Sequence, residues 1–237
     1  MQRSAINDAI RFAEELLQLY RFALPPFASW APENWRTRRA DVDEIMRARL
    51  GWDITDYGQG DFARVGLTLF SIRNGDAAAL KRGHGMLYAE KALIVRKGQL
   101  CPSHFHLSKT EDIINRGGGR LVLELVNTDS AGAPDESKPV KVMTDGIERR
   151  LPARGKLSLS PGESVTLVPG LAHAFWAEDD DVFVGEVSTV NDDETDNVFL
   201  EKVGRFPVID EDERPHRLIV GDYQLLDAPR PSISGRA

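Results

Sequence analysis

The sequence predicts an all-β protein, an antiparallel barrel with a helical extension at its N-terminus. Helical spacing of apolar residues is confined to the opening of the chain. From about residue 62 the apolar period falls to two, as in strands with one buried face. These runs are short and separated by turn signals, which argues for a barrel or sandwich rather than a parallel sheet. The expected division is an extension over residues 1–60, a barrel over 61–225 and a disordered tail over 226–237, which ends PRPSISGRA.

In the extension, Ile6, Ile10, Ala13, Leu17 and Tyr20 recur at helical spacing behind Ser4, an expected N-cap. Leu24-Pro25-Pro26 should end the helix. Its apolar stripe is expected to pack on the barrel. Residues 27–40 read as an irregular arm whose Trp30 and Trp35 are packing anchors, or, as the alternative, the lining of a sugar site. Asp43 to Leu50 reads as a short helix closed by Gly51.

In the barrel, Val65, Leu67, Leu69 and Ser71 alternate with Gly66, Thr68, Phe70 and Ile72, and Asn74-Gly75 is a turn signal. Further strands are expected over Ala89–Lys97, Leu100–His106, Gly119–Asn127, Ser164–Val168, Ala172–Ala177 and Val182–Val190. Thr128 to Lys138 is polar and rich in turn residues, hence a loop. Val140–Thr144 and Ile147–Leu151 flank Asp145-Gly146, a strong hairpin signal. No internal repeat is evident.

Composition bounds the function. The chain has 237 residues, 41% hydrophobic and 28% charged, as in ordinary soluble proteins. A net charge of −7 argues against non-specific nucleic-acid binding. One cysteine excludes an internal disulfide framework. No stretch approaches a membrane span of roughly 20 apolar residues, and the N-terminus lacks a signal-peptide core. A cytoplasmic location is expected.

The chemistry concentrates in Gly98 to Gly118, GQLCPSHFHLSKTEDIINRGG. On a strand, His104 and His106 project to the same side. A turn after His106 would return Glu111 to that point. Two imidazoles and a carboxylate form a site for a borderline or hard divalent ion. A lone histidine is more often an ordinary polar position, but the joint spacing is not explained that way. A fourth ligand, His173, is expected from Gly162 to His173, GESVTLVPGLAH, where a strand meets a Pro-Gly turn.

Other polar residues divide less sharply. Cys101 has the opposite strand parity to His104 and His106, so it should point away from them and be structural. Glu186, in the apolar run VFVGEV, lies either on a wet outer face or inside a cavity, where burial would favour a general base. Lys91 in YAEKALIV poses the same question, and Glu124 a weaker version. His84 and His216 read as ordinary polar positions. Asn191 to Asn197, NDDETDN, reads as a solvated acidic loop; the glycine and final glutamate of a calcium loop are missing.

The two histidine stretches resemble the paired motifs of the cupin superfamily. The first fits without a gap. In the second the proline is one place late and Ala177 replaces an asparagine, neither of which is a ligand position. The resemblance implies a jelly-roll-like antiparallel barrel with metal held inside by His104, His106, Glu111 and His173. More narrowly, RSAINDAI, the run from YAEKALIV through KTEDIINRGGG, EVSTVNDDETDNVFL and GRFPVIDEDE together resemble the D-lyxose isomerase family. The likeness runs from residue 3 to about residue 225.

That family interconverts D-lyxose and D-xylulose, often also D-mannose and D-fructose, and generally prefers manganese. The resemblance thus implies one Mn2+ per chain, with Fe2+, Co2+, Ni2+ or Zn2+ as alternatives. It also implies free sugar as substrate and a homodimer. Isomerisation would pass through a metal-stabilised enediol, with Glu186 as base and Lys91 hydrogen-bonding the developing oxyanion. Two other functions stay open on the residues alone: an iron-dependent cupin oxygenase and a non-catalytic sugar-binding cupin. No basic phosphate cradle lies near the motifs, which disfavours a phosphosugar.

Overall fold

The computed structural model describes residues 1–227. Residues 228–237 of the expected tail lie outside that range, while Leu226 and Asp227 close a 3-10 helix, Val220–Asp227. Helix α1 (Arg3–Leu19) leads into an arm of short turns with α2 (Pro32–Thr37) and α3 (Asp43–Arg47). Strands β1 (Gly51–Thr55) and β2 (Leu67–Asn74) follow, then α4 (Ala77–Arg82), β3 (Tyr88–Val95), β4 (Leu100–His106) and β5 (Glu111–Asn127). The remaining strands are β6 (Val140–Thr144), β7 (Ile147–Leu151), β8 (Gly155–Leu159), β9 (Ser164–Leu167), β10 (Leu171–Thr189) and β11 (Asn197–Phe199).

All named strand pairs are antiparallel, in the order β1-β2-β3-β10-β5-β9-β6-β7. Strand β4 joins β10 and β11, and β8 joins β5. Inward-facing Leu67, Leu69, Leu93, Ile113, Leu123, Val165 and Phe175 form the interior. The hairpin at Asp145-Gly146 has both residues at positive φ, 51° and 83°, which matches the twist of the strands it joins. The two expected strands of residues 172–190 are one strand, β10, with an irregular register between Glu178 and Val182. It runs past glycines of β5, and a Cβ on Gly118 (φ 103°) would collide with the carbonyl oxygen of Asp181.

Strands β2 and β3 are buried on both faces, which explains why their alternation in sequence is apolar on both sides. On their outer side Ile6, Ile10, Ala13 and Leu17 of α1 pack with Trp52, Phe70, Ile72, Ala92 and Ile94. Each such buried aliphatic side chain contributes roughly 1.5–3 kcal/mol, enough for the stripe to fix the helix. Trp30 and Trp35 stack edge-on, and Trp35 also meets Tyr223, so both are packing anchors.

Several local expectations are corrected. Ser4 lies inside the first turn of α1, whose N-cap is Gln2, and its hydroxyl donates to Asp212 instead. Helix α1 ends at Leu19, short of the prolines, and α3 ends at Arg47. Gly51 does not cap α3; at φ 124° it opens β1, so pairing begins before the alternating pattern was visible. Asn74-Gly75 does not close a tight hairpin, because α4 intervenes. The Asn74 side chain instead braces the backbone of Asn191 through two hydrogen bonds, at 3.0 and 2.9 Å. Strands β8 and β11 escaped notice because each is short and adjoins polar residues.

After β11 the chain returns as a strap across α1. The amino terminus donates to the Val208 carbonyl at 2.6 Å, and Asn7 donates to Glu213 and to the Arg214 carbonyl. Arg3, fully buried, pairs with Asp222 at 2.8 Å and Glu211 at 2.6 Å. Removing one member of a buried pair strands the other charge. Arg3→Ala should therefore cost about 3 kcal/mol in urea unfolding, whereas Arg11→Ala, which breaks an exposed pair with Asp8, should stay within about 0.5 kcal/mol.

Candidate active site

Strands β4 and β10 place His104 directly opposite His173, and His106 follows two residues on. Chain reversal through Leu107–Thr110 sets Glu111 at the start of β5. The candidate ligand atoms of His104, His106 and His173 lie within 4.8 Å of one another, all three residues buried. Glu111 Oε1 is 3.1 Å from His173 Nε2 and 3.5 Å from His106 Nε2. His104 Nδ1 and His173 Nδ1 lie 2.9 and 3.2 Å from the carbonyls of Pro102 and Leu171. An N–H on each of those nitrogens leaves the Nε2 lone pair for the cavity.

The donor set suits a cation. His106 Nε2, His173 Nε2 and Glu111 Oε1 are buried and make no hydrogen bond. Buried polar atoms without partners are costly, and these three converge. Burial, with His173 and His106 alongside, holds the His104 imidazole well below its ordinary pKa, so it is neutral, as a ligand must be. Burial would raise the Glu111 carboxyl, but Lys109, His106 and His173 outweigh it and hold it well below the carboxylate range. The three histidines could therefore bind a metal.

Beyond Glu111 lies a line of opposite charges. Lys109 Nζ is 2.6 Å from Glu111 and 2.9 Å from Glu186. Lys91, directly across from Glu186 in the β3–β10 register, is 3.3 Å from it. Lys91 also lies 3.9 Å from Asp193, and Asp193 3.3 Å from Arg205. Thus both Glu186 and Lys91 are lumen-facing. Glu124 is not; it pairs with Arg154 near the surface at 3.4 Å. His216 bonds Glu14 on α1, and His84 is exposed.

The acidic segment Asn191–Asn197 is more than a solvated loop. The Asn191 amide oxygen accepts from Lys91 at 2.7 Å, and Asp193 lines the cavity. Buried Asp196 accepts from the backbone of Ser108 and Lys109 and lies 3.5 Å from His106 Nδ1. Lys109, Asp193, Asp196 and Arg205 were missed as site residues. Only Lys109 left a signal, its place between His106 and Glu111.

Cys101 is also corrected. It faces the cavity with the histidines, and its Sγ lies 3.0 Å from the Tyr57 hydroxyl. The cause is a register shift: Phe175 pairs with Cys101 while His173 pairs with His104. Two steps on β10 thus match three on β4, and the extra residue reverses the parity.

The profile of the D-lyxose isomerase family matches residues 1–223. The chain belongs to the D-lyxose isomerase family. The D-lyxose/D-mannose isomerase of Escherichia coli O157:H7 is 46% identical over 94% of this chain and 99% of its own. That of Serratia proteamaculans is 44% identical over 94% and 98%. In fold the chain resembles the L-ribose isomerase of Cellulomonas parahominis solved with L-psicose. The TM-score is 0.59 at 18% identity, covering 89% of this chain and 98% of that one. Membership of the D-lyxose isomerase family and the barrel with its N-terminal helix agree with the sequence reading.

Within this D-lyxose isomerase family chain, burial pushes the Cys101 thiol up to about 12. At about pH 8 the native protein should not react with a thiol-specific disulfide reagent, since the thiolate is the nucleophile. Protein unfolded in urea should react at its single cysteine. Rapid stoichiometric labelling of the native form would overturn the buried placement.

Proposed function

We propose that this protein is a metal-dependent aldose–ketose isomerase interconverting D-lyxose and D-xylulose, and more slowly D-mannose and D-fructose, as free sugars in the cytoplasm. The reading is carried by the convergence of His104, His106, His173 and Glu111 on one buried point, in a chain of the D-lyxose isomerase family. Those four residues would hold one divalent ion. Manganese is the first choice, by family resemblance and because the sugar adds oxygen donors. When bound, the ion supplies electrostatic stabilisation for charge developing at O1 and O2 of the sugar.

The remaining work falls to the protein. Glu186 accepts the proton from C2 and returns it to C1, with an enediolate between the two transfers, while the proton of the O2 hydroxyl passes to O1. Its flanking cations, Lys91 at 3.3 Å and Lys109 at 2.9 Å, support this role. Once Glu186 is protonated its attraction for them falls, and Lys91 is free to donate to the developing oxyanion. The free space between the side chains, about 40 Å3, holds a few waters but not a pentose. The long, unbranched lysine side chains therefore swing aside as sugar hydroxyls replace their contacts.

D-Lyxose and D-mannose share configuration at C2, C3 and C4. D-Xylose, the C2 epimer, would leave polar groups unpaired and be rejected. We also read the assembly as a homodimer through the barrel and extension. In support, Phe22, Leu24, Pro25, Pro26 and Trp52 border an apolar groove of about 520 Å3 beside α1.

The test is an assay of manganese-reconstituted protein over the free aldoses. D-Lyxose should be converted best, D-mannose more slowly and D-xylose poorly, without oxygen consumption. Oxygen uptake would favour an oxygenase, and binding without conversion a non-catalytic cupin. A His104→Ala/His106→Ala variant should remain folded by circular dichroism and bind no metal by elemental analysis; normal occupancy refutes the site. Glu186→Gln should keep the metal and lose at least about a thousandfold in kcat. Turnover near wild type would redirect attention to a hydride shift.

A further inference from the structure

Outside the histidine–Glu111 cluster, Arg205 Nη1 and Asn197 Oδ1 are the cavity-lining residues' buried side-chain polar atoms without a hydrogen-bond partner among the described residues, and of the two only Arg205 Nη1 is a donor. Arg205 reaches the cavity wall from the C-terminal strap, with its side chain 12% exposed. Its Nη2 donates to Asp53 at 2.7 Å and to Asp193 at 3.3 Å. Its Nη1 is buried and has no hydrogen-bond partner. A guanidinium presents its donors on one rigid plane, so fixing Nη2 fixes the direction of Nη1. An unpaired buried donor of this kind is destabilising, and a ligand acceptor removes that cost.

Position narrows the ligand. Arg205 lines the same cavity as the histidines and is joined to them only indirectly, through the ion pairs of Asp193, Lys91, Glu186, Lys109 and Glu111. A sugar with O1 and O2 at the histidines has only its remaining hydroxyls to offer to the other groups of that lining. We propose that Arg205 Nη1 donates to a hydroxyl remote from the carbonyl, on C4 or C5 of a pentose, and sets specificity at that end. This rests on the isomerase reading above. A hydroxyl oxygen has the lone pairs to accept, and an arginine already held by two carboxylates loses little freedom on binding.

The experiment compares kcat/KM for D-lyxose, 4-deoxy-D-lyxose and 5-deoxy-D-lyxose in the manganese-loaded wild type and in Arg205→Lys. The lysine keeps a cation between Asp53 and Asp193 but lacks the second fork nitrogen. Wild type should discriminate against one deoxysugar by about a hundredfold or more. Arg205→Lys should reduce that ratio below about fivefold, chiefly by weakening turnover of D-lyxose. A purely structural role would lower all three substrates together and leave the ratio unchanged, which would overturn the proposal.

Wild-type indifference to both deoxysugars would also overturn it, without any variant. If Arg205→Lys does not fold, Asp53→Asn serves, since it retains Arg205 but removes one anchor. The ratio should then fall several-fold, and an unchanged ratio counts against the proposal. Failure of the isomerase reading looks different: no aldose, D-lyxose included, would be converted by the wild type.

Discussion

Buried charges in this barrel must alternate in sign. From Arg205 through Asp193, Lys91, Glu186 and Lys109 to Glu111, each group meets an opposite charge within 2.6–3.9 Å. Around them stand Leu67, Leu69, Leu93 and Ile113, which exclude water and lower the local dielectric. That environment strengthens every pair and makes any unpaired member costly. The lumen is therefore neither a plain apolar core nor a wet pore. It is a polar line fixed in an apolar wall, and each terminus of the line carries polar atoms with no hydrogen-bond partner: Nε2 of His106 and His173 at one, Nη1 of Arg205 at the other.

This arrangement explains what could be read in the sequence. His104 and His106 were legible because two residues along a strand return to the same face, so spacing along the chain is spacing in the site. The β6–β7 hairpin was legible because Asp145-Gly146 specifies its own turn. Lys109 lies in a reversal where strand parity has no meaning. Asp193 and Arg205 enter from a loop and a strap that no local periodicity links to the histidines. Cys101 failed for the converse reason: parity was applied across a bulge that adds one residue.

The acidic run at Asn191–Asn197 illustrates a different limit. Composition marks it as solvated, and Glu194 and Thr195 are indeed exposed. Yet three of its members turn inward. Asn191 meets Lys91, Asp193 meets Arg205, and Asp196 anchors the turn before Glu111. A charge run becomes structural when cations from other elements are buried opposite it, and those cations are distant in sequence. Burial would raise the Asp193 carboxyl, but Arg205, Lys91 and Lys109 outweigh it and hold it well below its ordinary value.

The helical extension belongs to the same construction. Strand β3 turns Lys91, Leu93 and Val95 inward and Ala92 and Ile94 outward, against α1. One strand thus carries the site on one face and the extension on the other. Helix α1 in turn holds the returning strap through Arg3, Ser4 and Asn7, in contacts that reach from Glu211 to Asp222. The strap delivers Arg205 to Asp53, itself on β1, whose Trp52 and Ile54 pack under the helix. Packing on the outside of the sheet therefore fixes a charge on the inside. An element that reads from sequence as an appendage to the barrel thus backs the strands and the strap that line its interior.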